Sequence, residues 1–166
     1  MQREQLKILL LQIRDDHKVR AEELESFARY SQLDVNQIDV LNVFDTPSFD
    51  SSVLEGYDAL YVGGASEANV LETKIYPFVN DCISLIKFAG DTGIPTFASC
   101  FGFQLAVLAF GGEILSKDED YEMGSIPITL TNLATIDPVF SGTPDKFPAL
   151  SIHLSLIHIS EPTRPR

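Results

Sequence analysis

Apolar and polar positions divide the chain into short apolar runs separated by longer periodic stretches. Leu6 to Ile13 (LKILLLQI) is almost continuously apolar, the pattern of a strand buried on both faces of a parallel sheet. Asp15 or Asp16 can cap a helix running to about Gln32, with Leu24, Phe27, Ala28 and Ser31 on one face. Ile38 to Phe44 reads as a second strand and Tyr57 to Val62 (YDALYV) as a third, ending on Gly63-Gly64. Ile75, Phe78, Val79, Cys82, Ile83 and Ile86 recur at helical spacing, which predicts a helix over Thr73 to Ala89. Asp91-Thr92-Gly93 closes it, and Ile94 to Ala98 (IPTFA) reads as a fourth, short, buried strand. A further helix is expected from Phe101 to Phe110, stopped by Gly111-Gly112. Beyond Glu113 the pattern changes, and Gly124 to Thr131 (GSIPITLT) alternates like an exposed, antiparallel strand.

Strands alternating with helices imply an α/β fold with a doubly wound, mainly parallel sheet of flavodoxin-like type and right-handed crossovers. Ligands of such sheets bind beyond the carboxyl ends of the strands, where Gly63-Gly64 and Cys100 fall. The 166 residues, 45% of them hydrophobic, suit one well-filled domain and exclude a disordered chain.

Charge narrows the partners. With 24 acidic and 12 basic residues the formal charge is −12, a balance that phosphate backbones and anionic membrane surfaces repel. Neither nucleic acid nor membrane is therefore expected as a partner. No run approaches the roughly 18 consecutive apolar residues of a membrane-spanning helix. Met1 to Gln5 leads into an apolar run too short and too acid-flanked for a signal peptide, so a cytoplasmic protein is expected. Cys82 and Cys100 make no disulfide framework, and no Cys/His cluster has metal-ligand spacing. Cys82 lies on the apolar stripe of its helix and reads as core, and His17 as a solvated residue at a charged helix start.

Cys100 carries the candidate chemistry. Strand, then Ala98-Ser99-Cys100-Phe101-Gly102, then helix, follows the logic of a nucleophile elbow, whose sharp turn needs small neighbours. A thiol at a helix N-terminus also feels the positive end of the helix dipole, which favours thiolate. The N–H of Phe101 would face a developing oxyanion, and Gly64 can offer a second N–H. A cysteine in an apolar segment also has a plain reading as a buried core residue, and the residues alone leave both open.

Pro95-Thr96-Phe97-Ala98-Ser99-Cys100-Phe101-Gly102-Phe103-Gln104, followed by Gly111-Gly112, resembles the nucleophile signature of class I glutamine amidotransferases. Tyr61-Val62-Gly63-Gly64-Ala65-Ser66 is similar to that family's oxyanion loop. Glu122-Met123-Gly124, Pro127-Ile128 and Asp137-Pro138-Val139-Phe140 resemble the segments between its nucleophile and its histidine. The likeness spans Leu6 to His153 and is nearest to free-standing members similar to the amidotransferase domain of GMP synthase. It implies that Cys100 is the nucleophile, with Gly64 and Phe101 forming the oxyanion hole. His153 reads either as the triad histidine or as a histidine at the end of a strand. Gln104 matches the family's glutamine beside the substrate but also reads as an ordinary helix residue, and Gly63 joins it as a substrate-binding position.

The sequence departs from the family pattern at Ala98, where Gly is usual, and at Phe103, where many members have His. Both are tolerable, since Ala is small and position 103 lies outside the triad. A third departure matters more. The family's histidine is followed two residues later by an acid, and position 155 is Ser155. From Leu154 the chain reads LSLIHISEPTRPR, which resembles translated transposon-end sequencing adapter. Residues 1–153 are thus expected to form an amidotransferase-like domain incomplete at its C-terminus, and 154–166 a non-native tail. A genuine tail would instead be a short strand and a polar end.

The function implied is hydrolysis of glutamine or another γ-glutamyl amide through a Cys100 thioester, without a cofactor. Released ammonia could feed a partner synthase. One competing reading is a cysteine hydrolase of the related DJ-1/PfpI-like group, which often places His directly after the elbow cysteine, where this chain has Phe101. The other is a catalytically inactive binding subunit that keeps the fold without the triad.

Overall fold

The computed structural model describes residues 2–66, 68–116, 122–153 and 156–159. Two compact units emerge, one built on Met1–Ile114 and the other on Leu115–His158.

The first unit is a four-stranded parallel sheet of β1 (Ile8–Gln12), β2 (Ile38–Asn42), β3 (Ala59–Val62) and β4 (Thr96–Ala98), in the order β2-β1-β3-β4. Helices α1 (His17–Ser31), α2 (Phe78–Thr92) and α3 (Phe101–Ala109) connect and cover it. The mainly parallel α/β sheet expected from the apolar runs is present. Central β1 is buried at every position, because it has a strand on each side and packed side chains on both faces.

Alternation along the strands decides which helix covers which face. Ile8 and Leu10 pair in register with Ala59 and Tyr61 and pack with Leu24, Phe27 and Ala28 of α1. Leu9 and Leu11, paired with Leu60 and Val62, point to the opposite face. There α3 presses against Val62 and packs beside α2, whose Val79, Cys82, Leu85 and Ile86 are buried. Each fully buried Leu or Ile contributes roughly 1.5–3 kcal/mol relative to exposure.

Helix ends follow local chemistry. Asp16 caps α1, its Oδ1 accepting the N–H groups of Lys18 (2.8 Å) and Val19 (3.0 Å). The α2 helix starts later than the spacing predicts. Pro77 precedes it, and a residue before proline is disfavoured in helical conformation, so Thr73–Tyr76 form turns and Ile75 stands 65% exposed. At its other end α2 runs on to Thr92, and Gly93 closes it in left-handed conformation (φ 75°).

The fourth strand corrects a second expectation. β4 is short, as predicted, but lies at the sheet edge, and Thr96 and Phe97 are exposed rather than buried. An apolar run records neither the strand order nor which edge lacks a neighbour.

In the second unit β6 (Glu122–Thr129) pairs antiparallel with β7 (Lys146–His153), Glu122 opposite His153 and Thr129 opposite Lys146. The alternating pattern seen from Gly124 thus belongs to an antiparallel ribbon. β5 (Ile114–Ser116) pairs with β8 (Leu156–Ile159). Leu154, Ser155 and residues 160–166 of the expected tail lie outside the described residues. Among the described residues no helix is long and apolar enough to cross a membrane.

Candidate active site

Three backbone hydrogen-bonding groups bring the ends of β3 and β4 to one point. Gly63 N–H donates to Leu11 O (3.0 Å) and Ser99 N–H to Val62 O (3.0 Å), while Gly102 N–H reaches both Ser99 O (2.8 Å) and Gly63 O (3.1 Å). The chain therefore leaves β4, turns within two residues and enters α3 while still tied to the end of β3.

Cys100 is the residue at the turn. It is the N-cap of α3 and adopts φ 51°, ψ −108°, a conformation that costs an L-residue of order 1–3 kcal/mol. Its carbonyl accepts the N–H of Gln104 (3.1 Å), which ties the strained residue into the first helical turn. Gly102 explains why the turn needs small residues. A Cβ there would lie 2.8 Å from both the carbonyl oxygen and Cγ1 of Val62, so any side chain would push α3 off the sheet.

The two cysteines differ as the sequence predicts. Cys82 is wholly buried in α2, and burial, helped by the charge of Asp81, pushes its thiol well above the ordinary range. Cys100 is exposed and free.

Beside Cys100 opens a cleft of about 720 Å³. One wall is aromatic: Phe27 stacks on Tyr61 (5.2 Å between centroids), and Phe97 meets both edge-on (6.1 and 6.2 Å). The polar end is an ion pair absent from the sequence reading. Arg14 Nε donates to Glu23 Oε1 (3.0 Å) and Arg14 Nη1 to Ser66 Oγ (2.8 Å). Gly64 lies between this pair and the cysteine: a Cβ on it would be 2.8 Å from Arg14 Nη2 and 3.6 Å from Cys100 Cβ. The N–H of Gly64, expected as an oxyanion donor, donates to Glu23 Oε1 (3.2 Å).

Cys100, Phe101, Gly63, Gly64 and Gln104 thus share the first unit, clustered at the carboxyl ends of β3 and β4. Phe101 is the first residue of α3 and is buried, and Gln104 is partly buried one turn on. His153 ends β7 in the second unit, and its side chain lies outside the described ones. Among the described residues no group of three or more His, Cys, Asp or Glu is arranged to hold a metal ion. Arg14 lies two residues beyond β1, at the carboxyl end of the sheet, and that position was its one available signal.

The profile of the family described as glutamine amidotransferase class-I matches residues 30–163. GMP synthase [glutamine-hydrolyzing] from Tropheryma whipplei (strain Twist) is 46% identical over 54 residues, 32% of this chain and 10% of that protein. A glutamine amidotransferase from Thermotoga maritima superposes with a TM-score of 0.74 at 20% identity, over 96% of this chain and 64% of that one. A glutamine amidotransferase from Methylobacillus flagellatus gives 0.69 at 19% identity, over 95% and 59%. The chain spans less than two thirds of each of these relatives. With the fold shared and the profile extending over most of its length, this chain belongs to the class-I glutamine amidotransferases, a family whose general function is glutamine hydrolysis.

Proposed function

We propose that this chain carries the glutaminase chemistry of its family on Cys100, acting on glutamine or a related γ-glutamyl amide. The thiolate attacks the side-chain carbonyl carbon, and the oxyanion is held by the N–H groups of Phe101 and Gly64. His153 takes the thiol proton and delivers it to the departing amine. Water then cleaves the thioester and releases glutamate. Gly63 and Gln104 contribute to substrate binding, no cofactor is required, and a synthase partner receives the ammonia.

The observation that carries this reading is the strained φ of Cys100 on the strand-to-helix turn, with Gly102 seated against Val62. A core cysteine has no need of such a backbone, whereas a nucleophile gains exposure above the sheet from it.

Ser155 sets the expected rate. An imidazole without an orienting carboxylate spends more time in the wrong tautomer, which costs about 10⁴ in the serine-protease triad. Residues 154–166, read as a non-native tail, offer no acid two positions after His153. Ammonia release from glutamine should therefore be slow in residues 1–166 and higher in the Ser155→Glu variant. It should vanish in Cys100→Ser in either background. Release that survives Cys100→Ser would refute the nucleophile, and equal rates in the parent chain and the Ser155→Glu variant would refute the need for the acid.

A further inference from the structure

The side chain of Glu23 is only 10% exposed, and the hydrolysis outlined above gives it no task. Its Oε1 accepts from both Arg14 and Gly64, while Oε2 is buried without a hydrogen-bond partner among the described residues. An unsatisfied buried carboxylate oxygen is unfavourable, so the arrangement must be held by its neighbours. Arg14 is well fixed for that task, because its carbonyl accepts from Arg20 Nε (2.8 Å) and from the buried Asn42 Nδ2 (2.9 Å). Gly63 makes room for the carboxylate: a Cβ there would lie 2.7 and 2.8 Å from its two oxygens.

The consequence falls on Gly64. A donor spent on a carboxylate is not available to an oxyanion, and the carboxylate's own charge opposes a second negative charge beside it. Either Glu23 must withdraw or the peptide between Gly63 and Gly64 must turn, a rotation that two consecutive glycines make easy. We infer that Glu23, clamped by Arg14, is a positioning residue that latches this peptide in a capped state, and that a γ-glutamyl carbonyl bound at Cys100 displaces the latch. The inference rests on the reading of Gly64 as an oxyanion donor.

Acylation and alkylation of the same thiol separate a latch from a general effect. With the γ-p-nitrophenyl ester of glutamate, an S–C bond forms at the γ-carbonyl carbon, the C–O ester bond breaks, and p-nitrophenolate leaves with the electron pair. That path passes through an oxyanion. Iodoacetamide reacts at a saturated carbon with loss of iodide and forms none. Both adducts on Cys100 can be followed by mass spectrometry in the parent chain, in Glu23→Gln, which keeps shape and an acceptor, and in Glu23→Ala. The latch predicts acylation faster by about tenfold in Glu23→Ala, with Glu23→Gln intermediate. Alkylation should change by less than about twofold. Acylation that is unchanged or slower in both variants would overturn the latch and leave the nucleophile standing. So would equal acceleration of the two reactions, since Glu23 would then act on the thiol. Absence of the acyl adduct from Cys100 in all three proteins would instead overturn the functional reading, and the latch with it.

Discussion

Leu10, Leu11, Leu60, Val62 and Cys82 of the first unit reach zero exposure, whereas in the second unit Leu150 is 74% exposed and Leu133, Ile136 and Val139 are 70–81% exposed. The difference is one of architecture more than of composition. A parallel sheet with helices on both faces encloses its strands, while the two-stranded ribbon that carries Leu150 is at best marginal alone, and Leu133, Ile136 and Val139 lie in the short 3-10 turns that join its strands. The geometry around Cys100 is accordingly anchored in the unit with the dense core. Its strained backbone can be held there because Val62, Gly63 and Gly102 are fixed by the sheet.

That contrast can be broken by mutation, and the largest effect is expected in the core of β1. Leu10→Ala should cost about 2–5 kcal/mol in denaturant unfolding, since the cavity opens between the sheet and α1. A loss below about 1 kcal/mol would mean that the first unit is not the stable part. Gly102→Ala comes next, at about 1–3 kcal/mol, because the new methyl group overlaps Val62 in a packed region. It should also slow alkylation of Cys100 by displacing the first turn of α3. Removing the α1 cap with Asp16→Ala should cost about 1 kcal/mol. Leu150→Ser on the exposed ribbon should stay within about 0.5 kcal/mol, and a larger loss would show that the ribbon has a core of its own.

Much of the first unit was legible because its signals are local. LKILLLQI states two-sided burial, and Ala98, Ser99 and Gly102 around Cys100 state a sharp turn with small residues beside it. What failed was set by neighbours distant in sequence or by a single residue that overrides the pattern. Ile75 fits the helical spacing of α2 by chance, and Pro77 decides the start. The exposure of Phe97 follows from the place of β4 in the strand order. Glu23 looks like one more charge on a solvated helix face, and its partner Gly64 lies 41 residues away. Gln12, which interrupts an apolar run, is buried because its amide bonds to Asn42 and to the carbonyl of Arg20. No periodicity encodes such pairs, whereas the strand-turn-helix around Cys100 is written in consecutive residues.

Partial alkylation of the folded chain tests the central claim, that Cys100 is the presented nucleophile, most directly. Cys82 is enclosed in α2 with its thiol pushed up by burial and by Asp81, while Cys100 is exposed at the tip of the elbow. Limited iodoacetamide near neutral pH, followed by peptide mass spectrometry, should therefore label Cys100 well before Cys82, with Cys82 reacting only after denaturation. Labelling of Cys82 first, or of both at one rate in the folded protein, would contradict the account.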